Sequence, residues 1–260
     1  MRAFELTLDY QTDRPARSKP DADHDSPRLR LDHQLLWTKP LRSGVKFAPT
    51  APSTRRDGYL IWTDGSGEQH WYGSDAITNS YTGWTRPRSL VDAMAGLSEE
   101  QKARYLNPKY TIASSMIWPV RTKDRPTINE ARGFGPTGQI IRDRIDLTLE
   151  CIQRHYQGVD NALASVLTAY GDFFSLFDGF AEFAEFFHFQ DLVRPDGSGV
   201  RSLMRPDEVV TQADFEREAT PATVQEYVTY ADATIDFIAR RGKRMAEWVE
   251  KHHPEVEVRQ

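Results

Sequence analysis

One cysteine, Cys151, stands in 260 residues, so the chain can form no intrachain disulfide and no thiolate cluster for zinc or an iron–sulfur centre. Long apolar runs are missing too. No stretch approaches the roughly 18 apolar residues that a membrane-spanning helix needs, and the opening MRAFELTLDYQTDRPARSK has no apolar signal-peptide centre. Positive charge is not in excess: the formal net charge is −5, which argues against a broad nucleic-acid or anionic-membrane surface and leaves room only for a local basic patch. The H-E-x-x-H, D-x-D-x-D-G and H-x-x-x-H arrangements, which gather metal ligands on one short segment, are also absent. These absences predict a soluble, cytoplasmic protein with no membrane partner.

What is present is ordinary globular composition, with 39% hydrophobic, 27% charged and 11% aromatic residues, too aromatic for a largely disordered chain. Residues 3–8 alternate as a first strand, and 11–30, dense in Pro, Asp and Arg, read as loop. Tyr59 to Thr63, Asp64-Gly65-Ser66-Gly67 and Glu68 to Tyr72 spell a hairpin, because Asp-Gly admits the positive φ of tight turns. Residues 110–118 form an apolar strand bounded by Pro119, with Thr127-Ile128-Asn129 able to pair beside it. Helices are predicted near 87–95 and after Ser98-Glu99-Glu100-Gln101, a capping box.

From Gln139 the apolar period becomes 3.6. Ile141, Ile145, Leu149, Ile152 and Tyr156 share one stripe of a helix over 139–156, with Asp143, Glu150 and Arg154 opposite. Residues 160–189 add an aromatic helical segment, and a last helix runs from Thr220-Pro221 to His252. The expected class is α+β, with antiparallel strands and a hairpin in the N-terminal half and mostly helix in the C-terminal half. Residues 1–260 read as a single domain.

Candidate chemistry clusters in two segments. Between 26 and 41, Arg30, His33, Trp37 and Lys39 suit an anion with an aromatic part: cations for a phosphate or carboxylate, an indole face for stacking, an imidazole for proton transfer. The plainer reading has Leu35, Leu36 and Trp37 entering the core while the charges stay wet. Around 127–146, Arg132 and the free N–H groups of the following helix could hold one anionic group, with Asn129 as an orienting residue. Gly133-Phe134-Gly135-Pro136-Thr137-Gly138 matches G-x-G-x-x-G, but Pro136 removes a donor and no βαβ unit follows.

Asp143, Asp146 and Glu150 could offer oxygens to a divalent metal, yet an i, i+4 ladder from Arg142 to Arg154 explains the same spacing, so no metal ligand is assigned. Arg240-Arg241-Gly242-Lys243-Arg244 is the basic cluster; with Glu247 and Glu250 nearby it reads as a solvated helix face. Cys151, four residues before His155, reads as a packed cysteine rather than a thiolate–imidazole pair.

Several stretches together resemble a family of uncharacterised bacterial proteins known only as a domain of unknown function. They are Asp21-Ala22-Asp23 leading into Ser26-Pro27-Arg28-Leu29-Arg30, His33 to Leu41, Thr127 to Phe134, Asp143 to Ile152, Asp172 to Phe177, and Gln190-Asp191-Leu192-Val193. The resemblance spans nearly the whole chain, which implies one integral domain. It implies no activity.

The leading expectation is an enzyme acting on a phosphate-bearing small molecule or nucleotide in a cleft between segments 26–41 and 127–146. His33 would be acid or base, Asp143 or Asp146 a second acid, and Arg30, Trp37, Lys39, Asn129 and Arg132 would bind the ligand; no cofactor is specified. The alternatives are a non-catalytic interaction protein using its helical half, and a nucleic-acid-modifying or cleaving enzyme whose 240–244 cluster flanks the same cleft.

Overall fold

The computed structural model describes residues 3–13, 25–52, 59–106, 110–120, 127–134, 141–216 and 219–259. Ala3–Glu5 (β1) opens the chain and pairs in parallel with Glu257–Arg259 (β7) at the far end. Only the first half of the strand expected over 3–8 forms. Pro27–Trp37 (α1) starts inside the stretch read as loop: Ser26 caps it by accepting from Leu29 N at 3.0 Å, and Pro27 costs nothing at a position whose N–H has no helical partner. Lys39–Pro40 (β2) and Lys46–Phe47 (β3) make a short antiparallel pair directly after it.

The hairpin forms as the alternation predicts. Leu60–Thr63 (β4) pairs antiparallel with Gln69–Ala76 (β5), which pairs in turn with Ser115–Val120 (β6). The positive φ falls on Gly67, at +91°, rather than on Gly65, and Asp64 Oδ1 holds the turn by accepting from Ser66 N and Glu68 N at 2.8 and 3.0 Å.

Arg88–Ala95 (α2) and Glu99–Leu106 (α3) follow expectation, the latter with the reciprocal Ser98–Gln101 bonds of a capping box. The apolar run at 110–118 is split: Ile112–Ser114 is a single 3₁₀ turn and β6 runs through Pro119, on the edge of the three-stranded sheet, where a missing N–H is tolerated. Thr127-Ile128-Asn129 does not pair as strand. Thr127 and Glu130 exchange capping bonds and open Ile128–Phe134 (α4).

The helix expected over 139–156 is shorter. Ile145–Tyr156 (α5) begins after Arg142 and Asp143, whose φ values of +55° and +57° are incompatible with a right-handed helix; residues 139 and 140 lie outside the described ones. Ile141, Ile145, Leu149 and Ile152 are buried as predicted, but Leu147, Thr148 and Cys151 are buried too, and Glu150 nearly so. Ala164–Ala169 (α6), Gly171–Phe174 (α7) and Phe180–Phe186 (α8) fold back over α5, the loop at 200–204 closes on its start, and on the face expected to be wet Asn79 meets Asp143 while Gln212 and Phe215 meet Arg154. The rings of residues 173–187, Phe173, Phe174, Phe177, Phe183, Phe186 and Phe187, pack edge-to-face and tilted at centroid separations near 5–6 Å, the geometry aromatic quadrupoles favour.

After Ala213–Glu216 (α9) comes Val224–His252 (α10), capped by Thr223 rather than Thr220. It packs against α1, α2, α3 and the turns at 112–114 and 190–192. One buried cluster runs from Phe4 to Val249, and the fold is α+β. No helix of the described residues is long and apolar enough to cross a membrane.

Candidate functional site

The residues singled out in the sequence separate into two groups. His33 is fully buried: Trp37 Nε1 donates to its Nδ1 at 2.8 Å, so the ring proton sits on Nε2, 3.2 Å from Ser74 Oγ. Burial, and then the nearby Arg241 cation, push its pKa down to about 3. It is a neutral imidazole with both nitrogens engaged. Arg132 is also fully buried, bonding Asp75 Oδ2 at 2.9 Å, Thr148 Oγ1 at 3.0 Å and the carbonyls of Ile77 and Asp143 at 3.1 and 3.3 Å. A carboxylate and carbonyls of the chain itself supply what an anionic guest would have supplied.

Asp146, buried, forms a double ion pair with Arg144 and accepts from Leu203 N at 2.8 Å. Asp143 accepts from Asn79 Nδ2 at 3.1 Å, and Glu150 from Arg154 at 2.8 Å, so the three acids of this region do not face a common point. Asn129 is exposed on α4. Arg30 is half-buried, its guanidinium 4.9 Å from the Tyr59 ring centroid. Gly133 lies in α4, not in a loop after a strand, and Gly135 and Gly138 lie outside the described residues, so the dinucleotide pattern lacks its strand–turn–helix context. Asp64, Glu68 and His70 bring one ligand atom each within 4.8 Å of one another, but Asp64 is already committed to its turn.

Lys39 belongs elsewhere. It lines a cleft of about 390 Å³ between β2, the end of α8 with the turn after it, and the last turns of α10. The α1 cap aims it there: the helix ends at Trp37, whose ring is buried against Phe186 and Phe187, and β2 carries Lys39 past them. Its Nζ donates to Phe186 O at 2.5 Å and lies 4.3, 5.2 and 5.3 Å from the ring centroids of Phe186, Trp37 and Trp248. Burial and the Arg241 cation lower its pKa, Glu185 partly opposing, to about 7. Glu185 itself is held by Arg42 at 2.6 Å on the rim.

His188 and Gln190 stand beside it. His188 is buried with φ at +58°, in the left-handed region a side chain seldom adopts, and among the described residues its Nε2 and Gln190 Oε1 have no hydrogen-bond partner. Burial first, then Lys39, Arg241 and Arg244, hold His188 far below the usual imidazole range. Arg241, which the sequence reading put on a solvated face, is fully buried behind the cleft. It donates to the carbonyls of Ala113, Ser115 and Phe187 at 2.6, 2.9 and 3.1 Å, its NH2 has no partner among the described residues, and burial lowers its pKa to about 9. The rest of that cluster is paired: Arg240 with Asp236, Lys243 with Glu247, and Arg244, which lines the cleft, with Asp191.

A family model matches residues 4–245, nearly the whole chain. The chain belongs to DUF6994, a family of unknown function. No curated protein and no solved structure matches it. The family brings no ligand and no reaction, so the cleft has to be read from its own chemistry. Sequence reasoning picked out Lys39 and Trp37 but missed His188, Gln190, Arg241 and Trp248. The signal for His188 was its place inside Phe186-Phe187-His188-Phe189, an ionisable ring in an apolar run.

Proposed function

We propose that the Lys39 cleft binds a small molecule with an anionic group and a flat apolar part, and that the protein is an enzyme acting on such a phosphate-bearing compound or nucleotide. The observation that carries this reading is the meeting of Lys39, His188 and Gln190 in one cleft whose glutamates, Glu182, Glu185 and Glu247, are already engaged by backbone N–H groups, Arg42 and Lys243. Arg241 meets carbonyls and the Phe189 ring, Lys39 meets a carbonyl and three rings, and His188 Nε2 has no hydrogen-bond partner among the described residues. A guest anion would lie beside Lys39, with Arg241 behind it, in a setting where water screens charge poorly. Trp248 and Phe186 offer walls for a planar part of the guest. This places the ligand between β2, α8 and α10 rather than between segments 26–41 and 127–146. The continuous buried cluster supports taking residues 1–260 as one domain.

The interaction-protein reading draws less support. Among the described residues the exposed large apolar side chains, Leu31, Val45, Val159 and Val224, come from separate parts of the chain, and single exposed aliphatics are normal on any surface. The nucleic-acid reading has only Arg244 of the basic cluster in the cleft lining.

A thermal-shift series with AMP, pyridoxine phosphate and inorganic phosphate tests the proposal. A compound at 100 times its Kd adds about 2.7 kcal/mol and raises the midpoint by a few degrees. The rise should vanish in Lys39→Met. No shift with any of the three, or an equal shift in the variant, would overturn the assignment of the cleft.

A further inference from the structure

Buried polar atoms without a hydrogen-bond partner are few in a folded protein, and two on one wall call for a partner that the chain itself does not supply. His188 Nε2 and Gln190 Oε1, from one short turn, are such a pair among the described residues, and both residues line the cleft. An amide oxygen needs a donor. The glutamates of the cleft are acceptors when ionised, and so is a fully ionised phosphate, so neither answers Gln190 Oε1. The anion beside Lys39 is therefore only part of a guest that also carries N–H or O–H groups.

Resting on the ligand reading above, we propose that the guest is a nucleoside monophosphate whose base is read by its hydrogen-bonding edge at Gln190 and His188, with its phosphate beside Lys39 and its ring against Trp248. A base edge sets an N–H donor next to a ring-nitrogen or carbonyl acceptor. The Gln190 amide offers the matching acceptor and donor side by side, as glutamine does when it pairs with adenine. Its last torsion, broad in glutamine, lets the amide turn from the wall to the cleft. His188 Nε2 takes a further bond, as donor or acceptor according to its tautomer. Trp248 already accepts a planar ring: His252 stacks on it at 4.7 Å between centroids and 21° between planes. The Lys39 ammonium, which donates to Phe186 O, has further N–H donors for the phosphate. A cleft of about 390 Å³ is near the small end of ligand pockets, about 300–1,000 Å³, which suits one base, one sugar and one phosphate rather than a dinucleotide.

Calorimetric titration of the full chain with AMP, GMP, CMP, UMP, ribose 5-phosphate and phenyl phosphate tests this. Phenyl phosphate has an anion and a flat apolar ring but no hydrogen-bonding edge, and ribose 5-phosphate has an anion and a sugar but no base. At least one nucleotide should bind about tenfold more tightly than either, the order that a bidentate amide–base pair contributes. Gln190→Met, similar in length but without an amide, should remove that excess and leave phenyl phosphate binding within about twofold of wild type. Because Oε1 has no partner to lose, the unliganded variant should melt no lower than wild type. Lys39→Met should weaken the nucleotide and phenyl phosphate alike.

If phenyl phosphate binds as tightly as every nucleotide, or Gln190→Met weakens both kinds of compound equally, the base reading fails and the ligand reading stands. Ribose 5-phosphate matching the nucleotides would make the guest a sugar phosphate and overturn the base as well. Binding of none of the six ends both readings. An unliganded Gln190→Met that melts several degrees below wild type would show that the amide is structural and overturn its part in recognition.

Discussion

His33 and Arg132 hold neighbouring residues of one strand: His33 Nε2 lies 3.2 Å from Ser74 Oγ, and Arg132 NH1 lies 2.9 Å from Asp75 Oδ2. Successive side chains of a strand point to opposite faces, so the two reach β5 from its two sides instead of facing a common guest. Removing either should therefore be felt as stability. Arg132→Ala leaves Asp75 and several buried carbonyls without their partner and should cost about 3–5 kcal/mol in urea melts. A loss below about 1 kcal/mol, in the range of exposed pairs, would return Arg132 to the list of ligand-binding candidates.

Acid should unfold the protein through its buried imidazoles. The folded pKa values of His33 and His188 lie below the ordinary value of 6.5, so the unfolded chain binds protons first as pH drops. Their stabilising contribution is full above 6.5 and is lost as pH falls from there toward about 3, the folded value for His33. His33→Gln, which can still accept from Trp37 and donate to Ser74, should flatten the upper part of that acid limb. An unchanged slope of stability against pH between 6.5 and 5 would contradict a neutral His33.

Lys39 predicts the opposite limb. Its folded pKa of about 7 lies below its ordinary value of 10.5, so the unfolded state binds more protons between these limits. Stability should rise with pH across that window, and Lys39→Met should lose the rise while melting no lower than wild type at pH 7. Chemical denaturation at a series of pH values checks both points.

Burial on α5 sets two further costs. Leu149→Ala, at a site with no exposure, should lose about 2–5 kcal/mol. Arg154 bonds Glu150 and Gln212 and covers the Phe215 ring, so Arg154→Ala should lose about 1–3 kcal/mol rather than the few tenths of a solvated ion pair. Urea titrations that rank Arg154 above Leu149 would reverse the assignment of the helix core.

Cys151 should be inert. Burial raises its thiol to about 12, well away from thiolate at neutral pH. Ellman's reagent should titrate it only on addition of denaturant; prompt labelling of the native chain would show that α5 opens or that the thiol is accessible.

The sequence by itself determined the class and most of the elements, because periodicity and capping are local. Thr63 to Gln69 turned as Asp64 and the glycines require, Ser98 and Gln101 capped α3, and Ile141, Ile145, Leu149 and Ile152 went inward. What it could not determine was which charged groups would be covered. The positive φ at Arg142 and Asp143, which shortens α5, depends on Arg132 O and Asn79 meeting Asp143 from distant parts of the chain. The cleft is likewise a product of tertiary structure. Lys39, His188 and Arg241 lie far apart in sequence, and only the packing of α8 and α10 against β2 gathers them and strips their water. That desolvation, which no single segment can impose on itself, lowers the lysine's pKa to about 7.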